Sequence, residues 1–182
     1  MQFTEQKISG VWVIEPKVWN DPRGYFMECF KQVEFDKHIG KVNFIQDNES
    51  KSTYGVLRGM HSQIGDAAQS KLVRVIAGSV LDVVVDVRRS SPTFGQYVAV
   101  ELSAENKKQL FVPRGLYHGF LVLSPEAIFS YKVDNTYQPQ VEVALNYADP
   151  TVNIQWPVGL KDLILSPKDV AAPFLKDAYI FE

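Results

Sequence analysis

The chain has 182 residues, 46% of them hydrophobic, and its 21 acidic and 19 basic side chains give a formal charge of −2 at pH 7. A chain of this length can bury a sizeable core without disulfide staples, so we expect one domain over residues 1–182. Its scattered Lys and Arg residues argue against a nucleic-acid surface, and no apolar run or signal-peptide pattern indicates a membrane segment. With Cys29 as the single cysteine, we expect a cytoplasmic protein.

Short strands and turns follow one another along the chain. Residues 8–16 and 25–30 are predicted as strands on either side of a turn at 20–24, and residues 32–38 as a short helix. Later strands are predicted at 44–50, 71–76, 80–87, 97–102, 109–112, 119–122 and 127–133, with helical turns at 160–165 and 167–172. Many short strands at even spacing predict an all-β fold, a sandwich or jelly roll of two antiparallel sheets.

The most informative segment is Leu57–Gln63, which contains Arg58 and His61 and is followed eight residues later by Lys71. Cationic and titratable side chains beside so much β-branched apolar sequence indicate one of two things. They line a pocket for an anionic substrate, or they are core residues whose polar atoms are hydrogen-bonded within the protein. The loop character predicted around Gly59 prevents strand alternation from showing that these side chains converge.

Several longer motifs complete the pattern. They are Asp-Pro-Arg-Gly-Tyr-Phe-Met-Glu at 21–28, Gln-Asp-Asn at 46–48, the segments 57–63 and 69–75, Val-Pro-Arg-Gly-Leu-Tyr-His-Gly-Phe at 112–120, Tyr-Lys at 131–132 with Tyr137, and Leu-Ser-Pro-Lys-Asp at 165–169. In order and spacing they closely resemble the dTDP-4-dehydrorhamnose 3,5-epimerase family. The resemblance implies a metal-free cupin-type jelly roll, a homodimer with exchanged N-terminal strands, and a nucleoside-diphospho-4-keto-6-deoxysugar as substrate.

Epimerisation of a carbon beside a ketone needs a base on one face, an acid on the other and a cation near the enolate oxygen. The resemblance implies His61 as the base, Tyr131 as the acid, Lys71 as the cation and Asp169 as the carboxylate that orients His61. Each has a structural alternative: a core histidine, a packed strand tyrosine, a lysine reaching solvent and a helix-capping aspartate.

The same resemblance implies a set of substrate-binding residues. Arg23 and Arg58 would bind the diphosphate, since guanidinium groups match phosphate oxygens and stay charged. Phe26 would stack on the nucleobase. The pocket would be completed by Glu28, Gln46, Asn48, His118 and Tyr137. Read without the family, these are ordinary strand or turn residues, and His118 is equally a structural histidine.

Metal-binding cupins usually carry His-x-His with a nearby glutamate. Here the corresponding run is His61-Ser62-Gln63 and His118 is distant, so we predict no metal and no cofactor. The predicted function is epimerisation at C3, C5 or both of a dTDP-4-keto-6-deoxyhexose, towards dTDP-L-rhamnose. The alternatives are a mono-epimerase or 3,4-ketoisomerase on a related sugar, and a non-catalytic sugar-nucleotide-binding jelly roll.

Overall fold

The computed structural model describes residues 1–182, and strands make up most of its regular structure. The strands are β1 (Gln2–Glu5), β2 (Trp12–Glu15), β3 (Val18–Asp21), β4 (Gly24–Met27), β5 (Gln46–Thr53), β6 (Leu57–Gln63), β7 (Lys71–Ala77), β8 (Ser79–Asp86), β9 (Tyr97–Ser103), β10 (Gln109–Val112), β11 (Leu116–Val122), β12 (Glu126–Val133) and β13 (Glu142–Ala144). The helices are α1 (Gln32–His38) and α2 (Pro167–Val170), with 3₁₀ turns at Gly65–Ala67, Pro139–Val141 and Leu160–Asp162. No helix combines the length and the apolar character needed to cross a bilayer.

Two antiparallel sheets form the body of the molecule. The six-stranded sheet has the order β1-β2-β10-β7-β12-β5, and the five-stranded sheet has the order β13-β6-β11-β8-β9. From β5 to β13 the chain repeatedly crosses between the sheets, while β3 and β4 pair only with each other in a separate hairpin. This arrangement is a jelly roll, which confirms the all-β prediction.

The main core lies between the two sheets. Val73, Val75 and Phe129 of the six-stranded sheet belong to one cluster of buried residues with Val84 and Phe120 of the five-stranded sheet. In each strand these residues alternate with others that point outward, as the two-residue period of a strand requires. The inward faces therefore determine what fills the roll and what lines its open end.

Both outer faces are covered as well. On the five-stranded sheet, Val83 and Val85 pack with Leu145, Ile154 and other residues of the C-terminal third. On the six-stranded sheet, Phe35 of α1 forms a cluster with Ile14, Leu72 and Phe111. Because β8 is covered on both faces, its largely apolar sequence is that of a fully buried strand rather than an alternating one.

Several elements differ from the sequence-based expectation. β1, β3 and β13 were not predicted, because they are short and largely polar or exposed and give no apolar periodicity. The predicted strand at 8–16 is confirmed only over Trp12–Glu15. The segment around Gly59 is strand β6 rather than a loop, and it pairs with both β11 and β13.

An irregularity in β6 places two polar side chains in the same cleft. The register against β11 shifts between His118 and Phe120, so Arg58 and His61 both line the interior although they are three residues apart. Gly59 has a φ of +131°, and a Cβ there would lie 2.5 Å from the Cα of Gly119. The close approach of these two glycines therefore permits the bulge that positions the site.

A buried carboxylate at the end of β8 organises the loop that follows this strand. Asp86 accepts hydrogen bonds from the Arg88 guanidinium, the Ser91 hydroxyl (2.6 Å) and the Thr93 hydroxyl (2.6 Å). Arg88 also donates to the carbonyl of Ser9. Burial alone would raise the pKa of Asp86, but these hydrogen bonds lower it to about 2. The charged form of Asp86 is thus stabilised by the fold.

Candidate active site

A cleft of about 520 Å³ opens between the two sheets. A second cleft of about 320 Å³ adjoins it. Four side chains line both clefts: His61, Lys71, His118 and Tyr131. The predicted catalytic residues and Arg58 all line the first cleft, and the second is lined by Gln46, Asn48 and Tyr137. The structure therefore brings nine of the twelve predicted site residues to one region.

His61 is held by a carboxylate from the C-terminal part of the chain. Its Nε2 lies 2.5 Å from Oδ1 of Asp169, which is only 3% exposed. Burial acts to raise the pKa of Asp169, but the hydrogen bonds from His61 and Ser166 and the charges of His61 and Lys168 hold it below its usual value. Because an ionised carboxylate can only accept, Nε2 of His61 donates in this bond, so in the neutral form of the ring Nδ1 is the atom that presents a lone pair.

The sequence around Asp169 explains how this carboxylate is presented. Ser166 is the N-cap of α2 and accepts a hydrogen bond from the backbone N–H of Asp169, while Pro167 occupies the first helical position. The hydroxyl of Ser166 also donates to Oδ2 of Asp169 at 2.8 Å. One carboxylate oxygen is fixed by the cap, and the other is directed at the imidazole.

A second pair, deeper in the roll, joins a histidine to a wholly buried aspartate. His118 Nε2 lies 2.9 and 3.0 Å from the two carboxylate oxygens of Asp82, which is 0% exposed. Burial raises the pKa of Asp82, although the nearby charges of His118 and Lys71 oppose that rise. Burial lowers the pKa of Lys71, and the negative charges of Asp82 and Glu142 oppose that fall. These groups compensate one another's charge inside a low-dielectric region.

Tyr131 and Arg58 complete the first cleft. Burial raises the pKa of Tyr131 more than the charge of Arg58 lowers it, so the phenol is protonated at neutral pH. Arg58 donates to the hydroxyl of Ser52 at 3.1 Å, and no carboxylate lies within 4 Å of its guanidinium group. A guanidinium group without an acidic partner at a cleft is suited to bind an anion.

Three of the predicted binding residues do not line either cleft. Arg23 and Phe26 lie in the β3–β4 hairpin and Glu28 directly follows it. Phe26 is 66% exposed, and the guanidinium group of Arg23 pairs with Asp21 at 2.6 Å. Within one chain, therefore, the hairpin and the clefts are separate features.

Sequence reasoning missed two charged residues that line the clefts, Lys168 and Glu142, and the buried Asp82 that bonds to His118. Asp82 interrupts the apolar run Val80–Val87, and a carboxylate in a buried strand was the signal that could have identified it. Lys168 directly precedes Asp169 in the recognised motif. Glu142 stands in a polar stretch with no motif, and only the pairing of β13 with β6 brings it near His61.

The histidines do not form part of a metal-ligand cluster. His61 and His118 each bond to their own aspartate, and no group of three His, Cys, Asp or Glu side chains is arranged to hold a metal ion.

Comparison with known proteins identifies the family. The family model described as dTDP-4-dehydrorhamnose 3,5-epimerase matches residues 5–177. The chain belongs to the dTDP-4-dehydrorhamnose 3,5-epimerase family. The family's protein from Shigella flexneri is 50% identical over 182 residues, which cover 100% of this chain and 99% of that protein.

Solved structures of the same family share this fold. The dTDP-4-dehydrorhamnose 3,5-epimerase of Elizabethkingia anophelis NUHP1 superposes with a TM-score of 0.93 at 48% identity, covering 97% of each chain. The epimerase of Legionella pneumophila Philadelphia 1, solved in complex with dTDP-4-keto-L-rhamnose, gives a TM-score of 0.92 at 46% identity and covers 96% of this chain and 93% of that one. Their family is thus a cupin-type jelly-roll family, as the sequence predicted.

The two buried aspartates of β8 should respond to neutralisation in opposite ways. Relative to the wild type, Asp82→Asn should become more stable as the pH rises, because burial raises the pKa of Asp82 and the fold therefore disfavours its ionised form. Since the unfolded carboxyl ionises near 3.8, this relative gain should begin as the pH rises above that value. Urea unfolding between pH 3 and 8 measures both trends.

Asp86→Asn is the matched control in the same strand. It should lower the free energy of unfolding by roughly 2 kcal/mol at neutral pH, because the pKa of Asp86 falls from 3.8 to about 2 on folding. That deficit should shrink as the pH falls from 3.8 towards 2, where both forms become protonated. A deficit in Asp82→Asn that grows as the pH rises, as the deficit of Asp86→Asn should, would contradict the assignment.

Proposed function

We propose that this protein is a sugar-nucleotide epimerase that inverts carbons beside the C4 ketone of a dTDP-4-keto-6-deoxyhexose. The observation that carries the proposal is the placement of His61 and Tyr131. His61 belongs to the five-stranded sheet and Tyr131 to the six-stranded sheet, and both line the same cleft. A base and an acid on opposite walls can remove a proton from one face of a carbon and return one to the other.

His61 acts as the base through Nδ1. The hydrogen bond to Asp169 fixes Nε2 as the protonated nitrogen and stabilises the imidazolium that forms when Nδ1 takes a proton. The C–H electron pair then passes into an enolate. Tyr131, whose raised pKa keeps its phenol protonated, donates to the opposite face of the carbon.

Lys71 is the cationic residue of the six-stranded sheet that lines the same clefts as Tyr131. It lies beside the strand of Tyr131, since Val133 pairs with Lys71 and Tyr131 with Val73. Both side chains line the clefts. A fixed ammonium group in a half-buried site stabilises the developing enolate oxygen, and Asp82 behind it favours the charged form.

The diphosphate is bound by Arg58 at the cleft and by Arg23 of a second copy of the chain. The β3–β4 hairpin exposes Trp19 (42%), Tyr25 (55%) and Phe26 (66%), an apolar surface that a partner would cover. In a homodimer with exchanged N-terminal strands, Phe26 and Glu28 of one copy would reach the nucleotide bound in the other. Gln46, Asn48, His118 and Tyr137 would complete the pocket around the phosphates and the sugar.

This proposal places the enzyme in the cytoplasm. The support is the family membership and the free thiol of Cys29, which has no partner for a disulfide.

Solvent exchange tests the chemical roles. In deuterium oxide, proton NMR of dTDP-4-keto-6-deoxyglucose should show loss of the C3 and C5 proton signals with the wild-type protein. His61→Asn should reduce this exchange by about 10²-fold or more, the usual contribution of a positioned base. Tyr131→Phe should still exchange the protons but should yield epimerised product slowly.

Two exposed residues provide matched controls. His38→Asn in α1 and Tyr54→Phe change the same residue types outside both clefts, and should leave exchange and product formation at the wild-type level. Wild-type exchange in His61→Asn would refute its role as base. Loss of only one proton signal in the wild type would indicate a mono-epimerase, and no exchange by the folded protein would leave a binding module.

Subunit complementation tests whether the hairpin acts in the second copy. A chain carrying Arg23→Ala and Phe26→Ala should lose most activity, as should His61→Asn. After the two are unfolded and refolded together, mixed dimers should contain one intact site, giving about a quarter of wild-type activity at equal amounts. Activity of the mixture equal to the mean of the two parents would show that the hairpin serves its own chain.

A further inference from the structure

After one inversion in the proposed reaction, His61 and Tyr131 are each left in the protonation state opposite to the one in which they started. When Nδ1 of His61 removes a proton, the C–H electron pair enters the enolate and the imidazole becomes positively charged. When Tyr131 protonates the opposite face, its phenol becomes a phenolate. Both groups have to be restored before another carbon can react, so the path by which the proton leaves His61 is part of the mechanism.

The Nε2 side of the ring offers no exit for that proton. Nε2 already bonds to Oδ1 of Asp169, and Oδ2 of the same carboxylate accepts from the Ser166 hydroxyl at 2.8 Å. Asp169 is 3% exposed, so it has almost no contact with solvent. A proton acquired at Nδ1 therefore has to leave from Nδ1.

Glu142 is the acceptor that faces this atom. Its Oε1 lies 3.8 Å from Nδ1 of His61, and Glu142 and Asp169 are the only carboxylates within 4 Å of the ring nitrogens. The other oxygen, Oε2, accepts from the ammonium group of Lys168 at 2.7 Å and from the Tyr137 hydroxyl at 2.9 Å. Oε1 takes part in no hydrogen bond within the protein, so it is free to receive a proton.

The remaining polar groups around His61 are poor acceptors. In their charged form Lys71 and Lys168 are hydrogen-bond donors and have no lone pair that could accept a proton. His118 is bonded to Asp82, and Tyr131 is the proton donor of the reaction itself. Arg58 cannot accept a proton. Glu142 is the one ionised acceptor on the Nδ1 side.

Glu142 also contacts two groups at the solvent-exposed edge of the clefts. Its side chain is 14% exposed, whereas Tyr137 is 52% exposed and the side chain of Lys168 is likewise 52% exposed. Burial alone would raise the pKa of Glu142, but the hydrogen bonds from Lys168 and Tyr137 and the charge of His61 hold it below its usual value. Its carboxylate is therefore ionised when the imidazolium forms, and it does not retain a proton for long.

We propose that Glu142 resets the catalytic base by accepting the proton of Nδ1 on Oε1 and releasing it to water at the edge lined by Tyr137 and Lys168. This inference rests on the proposed epimerase function. The proton leaves the imidazolium, which regains its lone pair, and passes from the carboxyl group to water. The phenolate of Tyr131 takes one proton from solvent, so the cycle consumes and releases equal numbers of protons. Glu142 acts through His61.

Glu142→Gln tests the relay with little change of shape. The amide oxygen can still accept from Lys168 and Tyr137, but the side chain can no longer carry the proton. In dilute buffer the rate of epimerisation should fall by about 10²-fold, in the range lost with a proton-transfer group. Imidazole buffer added at constant pH and ionic strength should restore much of the rate, because a small base can reach Nδ1 through the open cleft.

Wild-type protein and two further variants provide the comparison. The wild type, Glu142→Asp and Glu126→Gln should show no dependence on imidazole concentration. Glu126 is a matched control, since it is a carboxylate paired with Lys51 at 2.8 Å and lines neither cleft. A merely structural role of Glu142 would lower the rate without creating a dependence on buffer.

Two outcomes would overturn the relay. One is a Glu142→Gln variant with a wild-type rate, and the other is a slow variant whose rate does not respond to imidazole. If the wild-type protein itself produces no epimerised product, the proposed function fails instead, and this is seen before any variant is measured.

Discussion

The hydrogen bond between His61 and Asp169 is the interaction on which the rest of the site depends. It joins strand β6 of the five-stranded sheet to a short helix more than one hundred residues later in the chain. The short helix exists because Ser166 caps it and Pro167 starts it, and the same cap fixes the orientation of the carboxylate. Local helix chemistry therefore decides which imidazole nitrogen faces the cleft.

The jelly roll brings the other groups of the site to the same cleft as this hydrogen bond. Because the chain crosses repeatedly between two sheets, groups distant in sequence come to lie on opposite walls of one cleft. Burial of Asp82 and of much of Lys71 strengthens their mutual attraction and disfavours their separate ionisation. The fold thus keeps a cation beside Tyr131, the proposed acid, while His61, the proposed base, stays on the other sheet.

Three carboxylates each face different cationic or titratable groups of the site. Asp169 holds the ring of His61, Asp82 faces His118 and Lys71, and Glu142 faces the free nitrogen of His61. Arg58 is left without an acidic partner, which reserves its charge for an anion. This division explains why some cationic groups at the cleft are neutralised by the protein while one is available to a ligand.

The sequence was sufficient to predict the fold class and nine of the residues that line the clefts, but not the others and not all of the geometry. The apolar run of β8 and the evenly spaced strands indicated two sheets, and the family motifs identified His61, Lys71, Tyr131 and Asp169. The bulge at Gly59 was read as a loop, because a glycine beside polar residues gives the same local pattern in either structure.

The role of Glu142 could not be predicted either. It depends on a three-residue strand, β13, whose pairing with β6 is non-local and leaves no periodicity in the sequence. Likewise, the motif at 21–28 was recognised, but only the structure shows that Arg23 and Phe26 lie away from the clefts of their own chain.

The most direct test of this account is the tautomer of His61, measured by long-range proton–nitrogen NMR correlation on nitrogen-15-labelled protein, with His61→Asn used to assign the signals. We predict that the neutral form of the ring is protonated at Nε2, with Nδ1 giving the shift of an unprotonated nitrogen, because the ionised Asp169 accepts from Nε2. A neutral ring protonated at Nδ1 would contradict the account, since the base would then direct a hydrogen, and not a lone pair, towards the substrate and Glu142.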